Sequence, residues 1–71
     1  MMWELYEVWQ EDENGHENLI DTTKSLKEAM ELSAQILAED SGIIHIYRED
    51  EDDYKEVKRL TLDESGAIIT V

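Results

Sequence analysis

Hydrophobic positions in this chain recur with two periods. Leu26, Ala29, Met30, Ser33, Ile36 and Leu37 follow one another at steps of three and four, which places them on one stripe of a helix running to Glu39. Glu28, Glu31, Gln35 and Glu39 fall on the opposite side and stay in water. Ser25, followed three residues later by Glu28, has the form of a capping box, in which each side chain satisfies a free backbone N–H of the first turn. Gly42, just past the stripe, is the expected helix stop. A single amphipathic helix must bury its stripe against something, and the rest of the chain reads as strands.

Trp3 to Gln10 is aromatic and β-branched, with Trp3, Leu5 and Trp9 on one face and Tyr6 and Val8 on the other. A strand apolar on both faces belongs inside a sheet. Asn14-Gly15 is a two-residue hairpin signal that pairs Glu13 with His16 and Trp9 with Ile20. It predicts a second strand from His16 to Thr22, with Trp9 and Ile20 towards the helix. Beyond the helix, Ile43 to Arg48 reads as a third strand, Glu49 to Asp53 as a solvated acidic turn, and Tyr54 to Leu62 as a fourth strand. Asp63 to Gly66 reads as a type I turn with a left-handed Gly, leading into a fifth strand from Ala67 to Val71. A four-residue loop there pairs Leu62 with Ala67 and Leu60 with Ile69.

The order β-β-α-β-β-β defines an α+β domain with one helix on one face of an antiparallel sheet. A crossover from strand two to strand three over strand one gives the sheet order 2-1-3-4-5. Leu5, Ile44, Ile46, Leu60, Leu62, Ile69 and Val71 are then expected under the helix. Tyr6, Val8, Ile43, His45, Tyr47, Val57 and Ile68 are expected on the open face. An uncovered apolar patch of that kind marks an interaction surface. The competing reading is a partly solvated sheet, with Lys55 and Arg59 laid over its apolar groups.

The 71 residues make one small domain, residues 1–71, which buries about 60% of its unfolded surface. With no Cys, neither a disulfide nor a thiolate metal site is available, and no apolar run approaches the roughly 18 residues of a membrane span. Met1 to Glu4 lacks the basic start of a signal peptide, so a cytoplasmic location is the expectation. Nineteen Asp and Glu against six Lys and Arg give a formal net charge of −13, beyond the magnitude of about 2–8 usual for a small domain. That balance disfavours direct binding to nucleic acid or to an anionic membrane. It favours a protein partner with a basic surface, or else serves solubility. Glu11, Asp12, Glu13, Glu49, Asp50, Glu51, Asp52 and Asp53 form the expected acidic surface.

Candidate chemistry changes this picture little. His16 lies beside a turn and His45 in a different strand, Ser25 is explained as a cap, and no Gly-rich phosphate loop is present. The acidic runs lack the twelve-residue EF-hand spacing, so no metal site is expected, and no cofactor. The expectation is a non-enzymatic interaction module, self-associating as a homodimer through the open face and binding a basic protein. Two alternatives stay open. One is a phage-type mimic of nucleic acid, with carboxylates in place of phosphates. The other is a small-ligand or enzyme accessory domain with an aromatic pocket from Trp3, Tyr6, Trp9 or Tyr47.

The segment Ile36 to Asp50, I-L-A-E-D-S-G-I-I-H-I-Y-R-E-D, is preceded by a strand Trp, a hairpin and a capped E-A-M-E helix. In this it resembles small bacterial or phage β-β-α-β-β domains that have no agreed activity. The resemblance covers most of the chain and implies a fold only.

The charge yields a direct expectation. Unpaired carboxylates repel one another, and salt screens that repulsion beyond about 10 Å at 0.1 M. The melting temperature should rise between low and moderate ionic strength; a flat or falling response in a salt series would mean that the acids are already compensated.

Overall fold

The computed structural model describes residues 3–71. Its elements are β1 (Glu4–Glu11), β2 (Glu17–Thr23), α1 (Leu26–Glu39), β3 (Ile43–Asp50), β4 (Tyr54–Leu62) and β5 (Ile68–Thr70). The strands form one five-stranded sheet, order β2-β1-β3-β4-β5, with every neighbouring pair antiparallel. The α+β class and the sheet order are those read from the sequence. Among the described residues, no helix is long and apolar enough to cross a membrane.

The helix forms for the reasons its sequence suggests. The Ser25 hydroxyl accepts from the Glu28 N–H at 3.1 Å. The Glu28 carboxylate reaches the N–H of Lys24 at 3.4 Å, one residue before the expected partner. Ala29, Ser33 and Leu37 are buried, with Leu26, Met30, Leu32 and Ile36 packed around them. Ala29 and Ser33 are small, so the middle of the helix lies close to the sheet. The Ser33 hydroxyl stays satisfied there, donating to the Ala29 carbonyl at 2.7 Å. The sheet side of the core is Val8, Ile44, Ile46 and Leu60, all in the three central strands, with Tyr6, Val57 and Leu62 against them.

Gly42 is not the helix stop. The helix ends at Asp40, whose N–H donates to the Ile36 carbonyl while its own backbone is extended. Gly42, at φ +130°, lies against the Glu11 carbonyl, where a Cβ would stand only 2.6 Å from the oxygen. The residue lets the start of β3 pass the end of β1.

Both hairpin registers differ by one residue from the expected ones. In the first, the N–H of Asp12 donates to the His16 carbonyl and that of Gly15 to the Asp12 carbonyl, so the loop has three residues and Trp9 pairs with Leu19. One Asp12 oxygen accepts from the N–H groups of Asn14 and His16 at 2.9 and 3.0 Å. The last hairpin repeats this with Asp63, which accepts from Ser65 and Ala67 at 2.8 and 3.0 Å. Leu62 therefore pairs with Ile68 and Leu60 with Thr70. A capped type I turn closed by Gly is stable enough here to replace the tighter two-residue turn.

Several side chains lie on the face opposite to the expected one. Val8 lies opposite Ile46, in the core, and so the even positions of β1 face the helix. Trp9 and Leu5 take the other side, the reverse of the expectation. Ile20 sits at a register irregularity opposite Val8 and Trp9 and is exposed. Ile69 pairs with Thr61 on the uncovered side, and Val71 lies outside the core.

Truncating a buried Leu to Ala typically costs about 2–5 kcal/mol. Leu37→Ala should lose that much in chemical denaturation. Ile69→Ala, at a position 42% exposed, should move the midpoint far less. Equal losses at both sites would return Ile69 to the core.

Candidate functional site: the uncovered face of the sheet

One helix covers one face. The other must satisfy its own side chains, and the strand period determines which ones they are. Glu7, Trp9 and Glu11 of β1 stand beside Glu17 and Leu19 of β2 and beside Ile43, His45 and Tyr47 of β3. Tyr54, Glu56 and Arg59 of β4 complete the row. Aromatic and acidic residues thus alternate within strands and meet between them.

His45 lies at the centre. It is only 6% exposed although no helix covers it. Its Nδ1 is 2.5 Å from a Glu56 oxygen and its Nε2 is 2.9 Å from a Glu11 oxygen, with Glu17 at 3.8 Å. Arg59 holds Glu56 from beyond through two hydrogen bonds, at 3.1 and 2.9 Å. A carboxylate only accepts, so hydrogen bonds at both ring nitrogens require both to carry protons. The ring is an imidazolium clamped between strands. Burial works against its charge, but the hydrogen bonds to Glu56 and Glu11 and the charge of Glu17 outweigh it, raising the pKa above the ordinary 6.5. Glu56 is shifted the other way: its bonds to Arg59 first, then to His45, hold its carboxyl below the usual 4.5.

The aromatic groups pack beside this network. Tyr47 and Tyr54 stack with ring centres 5.3 Å apart and planes 3° from parallel. Trp9 meets Tyr47 edge-on at 6.4 Å and 82°, and the other side of Tyr47 approaches the His45 ring at 6.4 Å. The Trp9 indole N–H and the Tyr54 hydroxyl donate to the same Glu7 oxygen, at 3.0 and 2.8 Å. The Tyr47 hydroxyl donates to Glu17 at 3.4 Å. Partial desolvation and the bond to Glu7 push the Tyr54 phenol up to about 12. Trp9, Glu17, Tyr47 and Tyr54 line an open notch of about 190 Å³.

Of the seven residues expected at an interface, Ile43, His45 and Tyr47 do lie on the uncovered face. Tyr6, Val8 and Val57 do not. Val8 is fully buried under the helix, and Tyr6 and Val57 pack against the same core. Val57 sits at the register irregularity between β3 and β4, which explains its departure from strict alternation. Ile68 lies opposite Leu62, on the helix side of the edge strand, and is exposed. The expected acidic surface also divides. Glu11 is bound to His45, Asp12 caps the first hairpin, and Asp50 accepts from the N–H groups of Asp52 and Asp53 at 2.9 and 2.8 Å. Glu49 pairs with Tyr54 and is partly buried, whereas Glu13, Glu51, Asp52 and Asp53 are exposed.

The residues of this face that the sequence does not single out are Glu7, Glu17, Tyr54 and Glu56; Trp9 is expected only in an aromatic pocket, and Arg59 only as a cover over apolar groups. Their signal was the two-residue step joining an aromatic to an acid: Glu7, Trp9 and Glu11 in one strand, Tyr54 and Glu56 in another. No protein-family model matches the chain, and no curated protein or solved structure matches it. Its chemistry must be read from its own side chains.

The His45 pair has a defined pH window. A raised His pKa contributes stability that is complete below 6.5 and is lost as pH rises through the folded value. A lowered Glu pKa contributes stability that is complete above 4.5 and is lost as pH falls through the folded value. The advantage of wild type over His45→Gln in denaturation should therefore peak between these limits and narrow towards pH 8. An advantage that grows towards pH 8 would mean that His45 is held neutral.

Proposed function

We propose that this chain is a non-enzymatic protein-interaction module that docks on a basic protein surface through the uncovered sheet face. The observation that carries the reading is the cluster of Trp9, Tyr47 and Tyr54 rimmed by Glu7, Glu11 and Glu17 on a face no helix covers. Interfaces concentrate aromatic residues at their centre and polar residues at their rim. A net charge of −13 steers such a face towards a cationic partner and away from nucleic acid. His45, the only histidine on the face, has both nitrogens committed to carboxylates, which leaves it no lone pair for base catalysis.

A second copy is a poorer partner than a basic surface. Tyr6, Val8 and Val57 belong to the core, which shrinks the apolar patch available for self-association. Pairing the face with itself also opposes like charges. The carboxylates of the turns are split between the two ends of the sheet. The Asp12 and Asp63 turns lie at one end and the Asp50–Asp53 turn at the other, which favours the face over a phosphate-like stripe.

Isotope-labelled protein titrated with a basic peptide at moderate salt tests this reading. Amide shifts should concentrate at Trp9, Glu17, Tyr47 and Tyr54, and an acidic peptide of equal length should leave them unmoved. Shifts spread evenly over the acidic turns would reduce the acidity to non-specific attraction and sink the docking face.

A further inference from the structure

We infer that the notch between Trp9, Tyr47 and Tyr54 receives an arginine side chain of the partner, an assignment that rests on the docking reading above. The notch is defined first by what its walls lack. The polar hydrogen of each ring is already spent: those of Trp9 and Tyr54 on Glu7, that of Tyr47 on Glu17. What remains towards solvent is ring surface and carboxylate lone pairs, with no donor from any of the three rings. A group that fits must bring donors of its own, accept nothing and carry positive charge. Among side chains, only the lysine ammonium, the arginine guanidinium and a protonated histidine meet that demand.

The charge of the notch is also uncancelled from within. Arg59, the basic residue of this face, is engaged by both oxygens of Glu56. Among the described residues, Glu7 has no ion pair, and Glu17 has only the 3.8 Å approach of His45. Ring hydrogens donated to carboxylates leave more electron density on the ring faces, which strengthens their attraction for a cation.

Shape selects among the cations. The walls are flat and meet at a corner, since Trp9 stands at 82° to Tyr47 while Tyr54 lies parallel to it. The notch holds about 190 Å³ and one of its sides is the Glu17 carboxylate. A planar guanidinium can lie against a ring while its N–H edge meets a carboxylate, a combination that a compact ammonium cannot match. A quaternary ammonium has no N–H to offer Glu17.

The experiment uses one basic peptide with a single central residue varied as Arg, Lys or citrulline, the neutral isostere of arginine. Tetramethylammonium is a fourth probe. Binding is read at the indole N–H resonance of Trp9 and at the backbone amides. The Arg peptide should bind about threefold or more tighter than the Lys peptide, and tighter still than the citrulline peptide. Tyr54→Ala and Glu17→Gln should each remove most of the Arg preference. Tyr54→Phe, which keeps the ring, should retain it, and Glu64→Gln at the far hairpin should leave it unchanged. Tyr54 is 51% exposed, so its truncation should leave the fold intact, and Glu17→Gln decides alone if it does not. Equal affinities for Arg and Lys, untouched by these variants but with shifts still confined to the face, would overturn the arginine assignment and leave the docking reading standing. Failure of every peptide to shift the face would end both. Tighter binding of tetramethylammonium than of the Arg peptide would assign the notch to a different cation and overturn the inference.

Discussion

Everything in this fold follows from one helix having to cover a five-stranded sheet. Ala29, Ser33 and Leu37 press on Val8, Ile44, Ile46 and Leu60, and this contact uses the apolar stripe of the one helix among the described residues. Burying a side chain of that class contributes roughly 1.5–3 kcal/mol, so the few residues involved supply much of what holds so small a domain together. The stripe is narrow because its middle is Ala and Ser, and close approach takes the place of bulk. Nothing comparable is left for the second face. That face has to be stable while wet, which excludes a second apolar layer and leaves hydrogen-bonded rings and charges.

His45 shows how that requirement is met. A buried histidine among carboxylates is costly if any partner is missing, because an uncompensated charge is left out of water. Here Glu56 and Glu11 engage the two nitrogens from neighbouring strands, and Arg59 fixes Glu56 in turn. The positive ring also offsets part of the repulsion among the acids around it. The same side chains that stabilise the face shape its notch, since Tyr47 packs against His45 on one side and bounds the notch on the other. On the docking reading we propose, stability and recognition therefore draw on overlapping sets of residues, with His45 and Glu56 at the structural end and the exposed Tyr54 at the recognition end.

The sequence announced the element order, the helix stripe and the sheet order, because each rests on signals several residues long. The three- and four-residue recurrence from Leu26 to Leu37 survives any local error, and so does the alternation of strands with turns. The side of the sheet that each side chain occupies was not legible, because it turns on single-residue events. Asn14-Gly15 indicates a two-residue turn by composition. The Asp12 carboxylate, by accepting from two N–H groups, stabilises a three-residue loop in its place. Irregularities beside Val8 and at Ile46–Tyr47 then shift parity again, and no residue type in the sequence marks them. In β1, which pairs with β3 without a register shift, both faces are apolar in the sequence, so alternation alone does not say whether Val8 or Trp9 meets the helix.

The acidity also reads differently with the side chains in place. The chain has no proline to shape its turns. Aspartates do it instead: Asp12, Asp50 and Asp63 each sit at the start of a turn and accept from two backbone N–H groups beyond it. The backbone bond from His16 and the bonds from Ser65 and Ala67 hold the Asp12 and Asp63 carboxyls below the ordinary 3.8, as acceptors bound to donors should be. Glu28 serves the helix start, and Glu7, Glu11, Glu17 and Glu56 serve the rings of the uncovered face. Much of the negative charge is therefore an outcome of using carboxylates wherever the fold needs an acceptor. On the docking reading we propose, attraction for a cationic partner would arise from groups that the architecture already requires. On that reading, what would turn the general attraction into recognition is the place where carboxylates and ring faces converge with the ring donors spent.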